Sequence, residues 1–239
     1  VPVGRTDDLV ALVCGGDSHP LAPALRGWAD SRSWLAFAEA HAAKIRKKAR
    51  LASSEGELHD LIAELAVAAL LVRDRRFSVV YEPHRASGGR GPDLGVTFKT
   101  HTPFHVEVTR LRPSGGEEDR TALRLARVLG DKTGQLPPGA ANVLAVIVPP
   151  DKVGDDLIPA ALRRLGRSTG PEADPASPGV PPEAARAYAR GRPRLSAALL
   201  CSLTPAGQPV EVRLWLNPQA RHPLHPEVAR YLVRAAAKG

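Results

Sequence analysis

The chain has 239 residues, enough to bury a full core, and 33 Lys+Arg against 25 Asp+Glu give it a net charge of +8 and a pI near 10. That balance favours polyanionic partners (DNA, RNA or acidic membrane surfaces) and cannot choose among them. No apolar run approaches the roughly 18 residues of a bilayer span. Residues 1–12 show no basic-then-apolar leader pattern, and Cys14 and Cys201 are in no metal-ligand spacing and too far apart in sequence to imply a disulfide framework. A reduced, cytoplasmic protein with no membrane partner is the expectation.

Residues 1–30 hold Pro, Gly and Asp between short apolar runs and read as an arm of irregular structure. From Ser33, Trp34, Phe37, Ala38, His41 and Ile45 recur at three- and four-residue steps and predict a helix. Lys44, Arg46, Lys47, Lys48 and Arg50 crowd its end, where they either complement the helix dipole or meet phosphates. Ser54 and Glu57 fit a capping box, so a second helix begins near Glu55 and shows one face through Leu58, Leu61, Ile62, Leu65, Ala69 and Val72.

Three runs rich in β-formers follow, at residues 77–81, 94–98 and 104–109, and read as consecutive antiparallel strands. The glycine-rich, basic loop between the first two carries Arg85 and Arg90. Loop glycines let a backbone approach phosphate, and they are equally expected of any loop. Residues 117–135 predict a helix, and the apolar β-branched run 142–148 a buried strand. A further helix is expected over 155–165, a linker or loop over 166–182, strands over 195–203 and 210–216, and a terminal helix over 226–238. The order of strands and helices argues for an α/β fold, a mixed sheet with helices packed against it.

Asp93 opens the second strand and Glu107 lies in the third, so a turn near residues 99–103 would fold one strand beside the other and bring the carboxylates together. On that strand His105, Glu107 and Thr109 share one face, and Val106 and Val108 the other. A carboxylate flanked by core valines needs a partner, a metal ion or a base, unless that face is simply solvent-exposed. Hard divalent cations take such oxygen ligands, with water and substrate phosphate completing the shell.

Gly91-Pro92-Asp93, a strand, and then Val106-Glu107-Val108-Thr109 resembles the Pro-Asp … (Asp/Glu)-X-Lys signature of PD-(D/E)XK nucleases, over residues 57–148. The resemblance implies a restriction-endonuclease-like core, with N- and C-terminal elaborations on the mixed sheet. It implies Mg²⁺ or Mn²⁺ held by Asp93, Glu107 and a helix acid. Glu64 fits that acid, with Glu57 and Asp60 as competitors and Glu57 engaged in capping. Where the family carries the motif lysine this chain has Thr109, which cannot supply a cation. Lys132 and Gln135 on the following helix resemble a Lys-x-x-Gln pattern of some members, so Lys132 is expected to replace the charge and Gln135 to hold phosphate or water. Arg85, Arg90 and Arg110 are the candidate phosphate contacts.

The expected organisation is thus an N-terminal arm and basic helix over 1–50 and the nuclease-like core over 51–165. A linker or loop over 166–182 and C-terminal strands and helix over 183–239 complete the domain. The expected function is metal-dependent hydrolysis of nucleic acid, DNA before RNA, with a homodimer one way to cut two strands. The alternative is a nucleic-acid-binding module on the same scaffold that no longer cuts, for which Thr109 speaks.

Overall fold

The computed structural model describes residues 3–83, 91–112, 118–168 and 179–236. Within them the helices are α1 (Val3–Cys14), α2 (Ala22–Trp28), α3 (Arg32–Ala40), α4 (Ala42–Leu51), α5 (Glu55–Val72), α6 (Glu118–Thr133), α7 (Leu157–Arg167), α8 (Pro182–Gly191) and α9 (Pro226–Ala236). The strands are β1 (Phe77–Tyr81), β2 (Leu94–Phe98), β3 (Thr102–Arg110), β4 (Ala141–Ile147), β5 (Ala197–Leu203) and β6 (Pro209–Leu216), and they form one sheet whose spatial order is their chain order. β1, β2 and β3 are an antiparallel meander, β3, β4 and β5 run parallel, and β6 returns antiparallel to β5. The fold is therefore α/β, a mixed sheet flanked by helices.

The sequence pattern of each strand follows from how many of its faces are covered. β4 and β5 are buried on both sides: Val143, Ala145, Leu199 and Cys201 join the core built with α1–α5 and α9, while Leu144, Val146, Ala198 and Leu200 join a second core with α6, α7 and α8. Such strands lose the alternation of a half-exposed sheet and read as continuous apolar runs. β2 and β3 keep it: Leu94, Val96, Phe98, Phe104, Val106 and Val108 face the first core, and Gly95, Thr97, His105, Glu107 and Thr109 stay half-exposed on the other face.

The expected irregular arm over residues 1–30 is corrected by the structure, which places α1 and α2 there and packs Leu9, Val10, Leu21, Leu25 and Trp28 into the first core. Trp28 stacks edge-on against Trp34 with ring centroids 4.9 Å apart, and its indole N–H donates to the Gly207 carbonyl at 3.1 Å. The N-terminal helices are thereby fastened to the turn between β5 and β6. The single helix expected from Ser33 is two, α3 and α4, broken at His41 (φ −112°, ψ 9°). The linker expected over 166–182 overlaps the end of α7, its residues 169–178 lie outside the described residues, and α8 was not anticipated. No helix among the described residues is long and apolar enough to cross a membrane.

Candidate functional site

The site begins where β2 and β3 part. Their ladder ends with Leu94 opposite Val106, and the next N–H on that edge of β3, that of Val108, donates instead to Asp93 Oδ2 at 2.8 Å. The Asp93 side chain thus stands in for the backbone of a strand that has turned away. On its other side the Asp93 carbonyl accepts from Glu82 N–H at 2.8 Å, immediately past the end of β1. Glu82 holds a positive φ of 47°, a conformation disfavoured for a non-glycine residue and found where surrounding contacts over-determine the backbone.

Glu64 approaches from α5. The helix starts at the expected capping box, in which Ser54 Oγ accepts from Glu57 N–H and Glu57 reaches back to the N-cap backbone. Glu57 is thereby engaged, and Asp60 is held by Arg110 Nε at 3.2 Å, so of the three helix acids Glu64 is the one facing Asp93 electrostatically. Every residue over 61–72 is buried except Glu64, whose side chain keeps 14% of its exposure. A carboxylate in that setting needs donors. Its Oε2 accepts from Lys48 Nζ at 2.6 Å and from Tyr81 Oη at 2.6 Å.

Lys48, on α4, also bridges to Glu82 Oε1 at 2.9 Å. Its helix neighbour Lys44 donates to the Tyr81 and Glu82 carbonyls at 2.7 and 3.0 Å. Burial works against the Lys48 ammonium, but the charges and hydrogen bonds of Glu64 and Glu82 outweigh it and leave its pKa above that of an ordinary lysine. Burial, then the Glu64 charge, pushes the Tyr81 phenol far up, so it is a hydrogen-bond donor at any working pH.

Glu107 projects from β3 toward α6, where Lys132 Nζ donates to its Oε1 at 2.8 Å. Lys132 thus reaches the acid two positions before Thr109, from a different element. Gln135 is not brought along: it is exposed beyond the end of α6, and its Nε2 donates to the Asp131 carbonyl. Arg110 comes to the rim, held by Asp60 and the Gly56 carbonyl. Arg85 and Arg90 lie outside the described residues.

A cavity of about 270 Å³ opens at this point, lined by Asp60, Glu64, Asp93, Arg110, Arg112 and Lys132, with Thr109 also on its wall. Glu107 meets it through its partner Lys132. A separate cavity of about 400 Å³ is lined by Asp151, Lys152, Asp155 and Asp156, away from the parting of β2 and β3. Burial first, then the charges of Glu64 and Glu107, pushes the Asp93 carboxyl up to about 7 against the pull of the Val108 N–H and Lys48. Asp93 therefore senses both other acids.

As they stand, no three His, Cys, Asp or Glu side chains among the described residues are grouped closely enough to hold a metal ion. The donor chemistry nonetheless suits a hard divalent cation, being oxygen alone. Each acid is gripped through one atom, Glu64 Oε2, Asp93 Oδ2 and Glu107 Oε1, and among the described residues no hydrogen bond or ion pair engages the second oxygen of any of them. Tyr81 and Glu82 were missed by sequence reasoning, and Lys48 was read only as one of several cations at a helix end. The available signal was that Ala42, Ile45 and Ala49 form the buried stripe of α4 and set Lys48 at its margin rather than in solvent.

Compared with known proteins, the chain matches no family model, no curated protein and no solved structure.

Proposed function

We propose that this chain is a metal-dependent nuclease with a restriction-endonuclease-like core, hydrolysing phosphodiester bonds of nucleic acid, DNA before RNA. The observation that carries the reading is Asp93 at the parting of β2 and β3, its carboxyl raised by burial and then by the charges of Glu64 and Glu107, with the Lys132 ammonium against Glu107. An acid on the helix before the meander, one at the parting strands and one on the third strand is the arrangement that the resemblance to PD-(D/E)XK nucleases implies. The charge of +8 supports a polyanionic substrate.

Glu64, Asp93 and Glu107 would hold Mg²⁺ or Mn²⁺ through the oxygens their protein partners leave alone. A bound ion would supply Lewis acidity, lowering the pKa of water and neutralising charge on the phosphate. The chain's own side chains do the rest. Lys132 carries a positive charge to the cavity wall beside Thr109, where the motif lysine is missing, and fixes Glu107. The Val108 N–H and Glu82 N–H lock the Asp93 side chain and backbone. Arg110, Arg85 and Arg90 are the candidates to meet backbone phosphates.

Thr109 on the cavity wall also favours a second reading, a module that binds nucleic acid without cutting it. Labelled single- and double-stranded DNA and RNA, incubated with Mg²⁺ or Mn²⁺ and wild-type or Glu107→Ala protein, separates the two. Cleavage abolished by Glu107→Ala is the result expected. Salt-sensitive binding without cleavage moves the assignment to the binding module, and neither binding nor cleavage overturns both.

A further inference from the structure

The Lys48 ammonium is shared by two carboxylates. A single nitrogen lies 2.6 Å from Glu64 Oε2 and 2.9 Å from Glu82 Oε1, and the Tyr81 hydroxyl donates to the same Glu64 oxygen. The three positions come from α5 and the end of β1, and the cation from α4. Two carboxylates that share one cation are an arrangement nucleases with two ions use, one acid bridging both metals and a further acid holding the second. Glu64 is the acid in common here: its Oε2 goes to Lys48, no hydrogen bond or ion pair engages its Oε1 among the described residues, and the residue lines the cavity together with Asp93.

We infer that Lys48 occupies the second cation position of the site, so that the chain takes one divalent ion, through Glu64, Asp93 and Glu107, and not two. This rests on the nuclease reading and deepens it by fixing its metal stoichiometry. A lysine brings one positive charge without needing to be captured from solution, and the Lys48 side chain is held mostly out of solvent with its ammonium 5.2 Å from the Tyr81 ring centroid. A dication at the same place would have to displace an ammonium bound to two carboxylates. Coulomb repulsion opposes a dication most strongly at the Lys48 position itself, where the ammonium already lies between Glu64 and Glu82. The backbone of Glu82 is held at positive φ while its carboxylate reaches Lys48, which keeps that acid committed to the lysine and not to the cavity.

The test is a count of Mn²⁺ ions bound to the full chain, by calorimetric titration and by electron paramagnetic resonance of free Mn²⁺, independent of cleavage. Wild type is expected to bind one ion, Lys48→Ala two, and the double variant Lys48→Ala/Glu82→Gln one again. Two ions on wild type, or one on a folded Lys48→Ala protein, overturns the inference and leaves the nuclease reading standing. If Lys48→Ala does not fold by circular dichroism, the wild-type count against that of Glu82→Gln decides: both at one ion is the expected result, and two on wild type falling to one in Glu82→Gln overturns the inference. No Mn²⁺ on wild type, with Asp93→Ala indistinguishable from it in thermal shift, removes the metal reading itself and this inference with it.

Discussion

Lys132 Nζ and Glu107 Oε1 lie 2.8 Å apart although the residues are 25 positions apart in sequence. The contact places an ammonium beside the β3 acid from α6, so the element that carries the charge differs from the element that carries Glu107. If that charge serves catalysis, Lys132→Ala should lower the rate of metal-dependent cleavage by about 10²–10³-fold, the scale of losing one preorganised electrostatic contact. Adding Thr109→Lys to the Lys132→Ala protein should recover part of it. Single-turnover cleavage rates check both, and undiminished cleavage by Lys132→Ala would remove Lys132 from the mechanism.

Asp93 gives stability a pH dependence of a definite sign. Its carboxyl is raised from 3.8 to about 7 by burial and by Glu64 and Glu107, so between those values the folded chain holds a proton that the unfolded chain has released. The favourable contribution is whole below about pH 4 and is lost as pH rises to about 7. In chelator, Asp93→Asn should therefore be more stable than wild type at pH 8, by roughly 2–4 kcal/mol, and nearly equal to it at pH 4. Urea unfolding at the two pH values measures the difference, and a gap that does not change with pH would contradict the assignment.

Tyr81 is fully buried, and its hydroxyl has Glu64 as acceptor. Tyr81→Phe keeps the ring packing and Lys48 on Glu64, so it should cost only about 1.5–3 kcal/mol of unfolding free energy, the worth of one hydrogen bond to a charged group. A larger loss, read by denaturant unfolding, would mean that the phenol and not Lys48 is the main support of the buried carboxylate.

Gly207 holds φ +74°, and a Cβ there would stand 2.7 Å from the Trp28 ring. Both the backbone and the contact exclude a side chain, so Gly207→Ala should destabilise the fold by about 2–3 kcal/mol and lower the melting temperature by several degrees. Trp28 fluorescence should change with it, because the same turn accepts the indole N–H. An unaltered melting temperature would show that the turn moves freely from Trp28.

Much of the fold was legible because its signals are local. The capping box at Ser54 and Glu57, the β-rich runs of β1 and β2 and the unbroken apolar run of β4 each specify their own geometry. α1 and α2 were not, because α2 is only seven residues long and draws its stability from Trp34 and the β5–β6 turn, contacts that no short window contains. The break at His41 has no glycine or proline to announce it. Around the cavity, the pairing of the strands that follow Asp93 and carry Glu107 was readable from the sequence, whereas Glu64 was named only by the resemblance. Of its competitors, Glu57 is engaged in the cap and Asp60 accepts from Arg110. Lys48 was legible only as one of five cations near a helix end, since what distinguishes it, two carboxylates from other elements, is tertiary.

The placement of α4 has a practical side. A fragment cut at residue 52 to isolate the motif-bearing strands would strip Lys44 and Lys48 from Tyr81, Glu82 and Glu64, and would lay open the apolar surface now covered by Trp34, Leu35 and Ile45. The acid meant to be studied would then sit half-buried with one donor in place of two. Trimming therefore belongs elsewhere, and the shortest informative version of this protein keeps its first four helices.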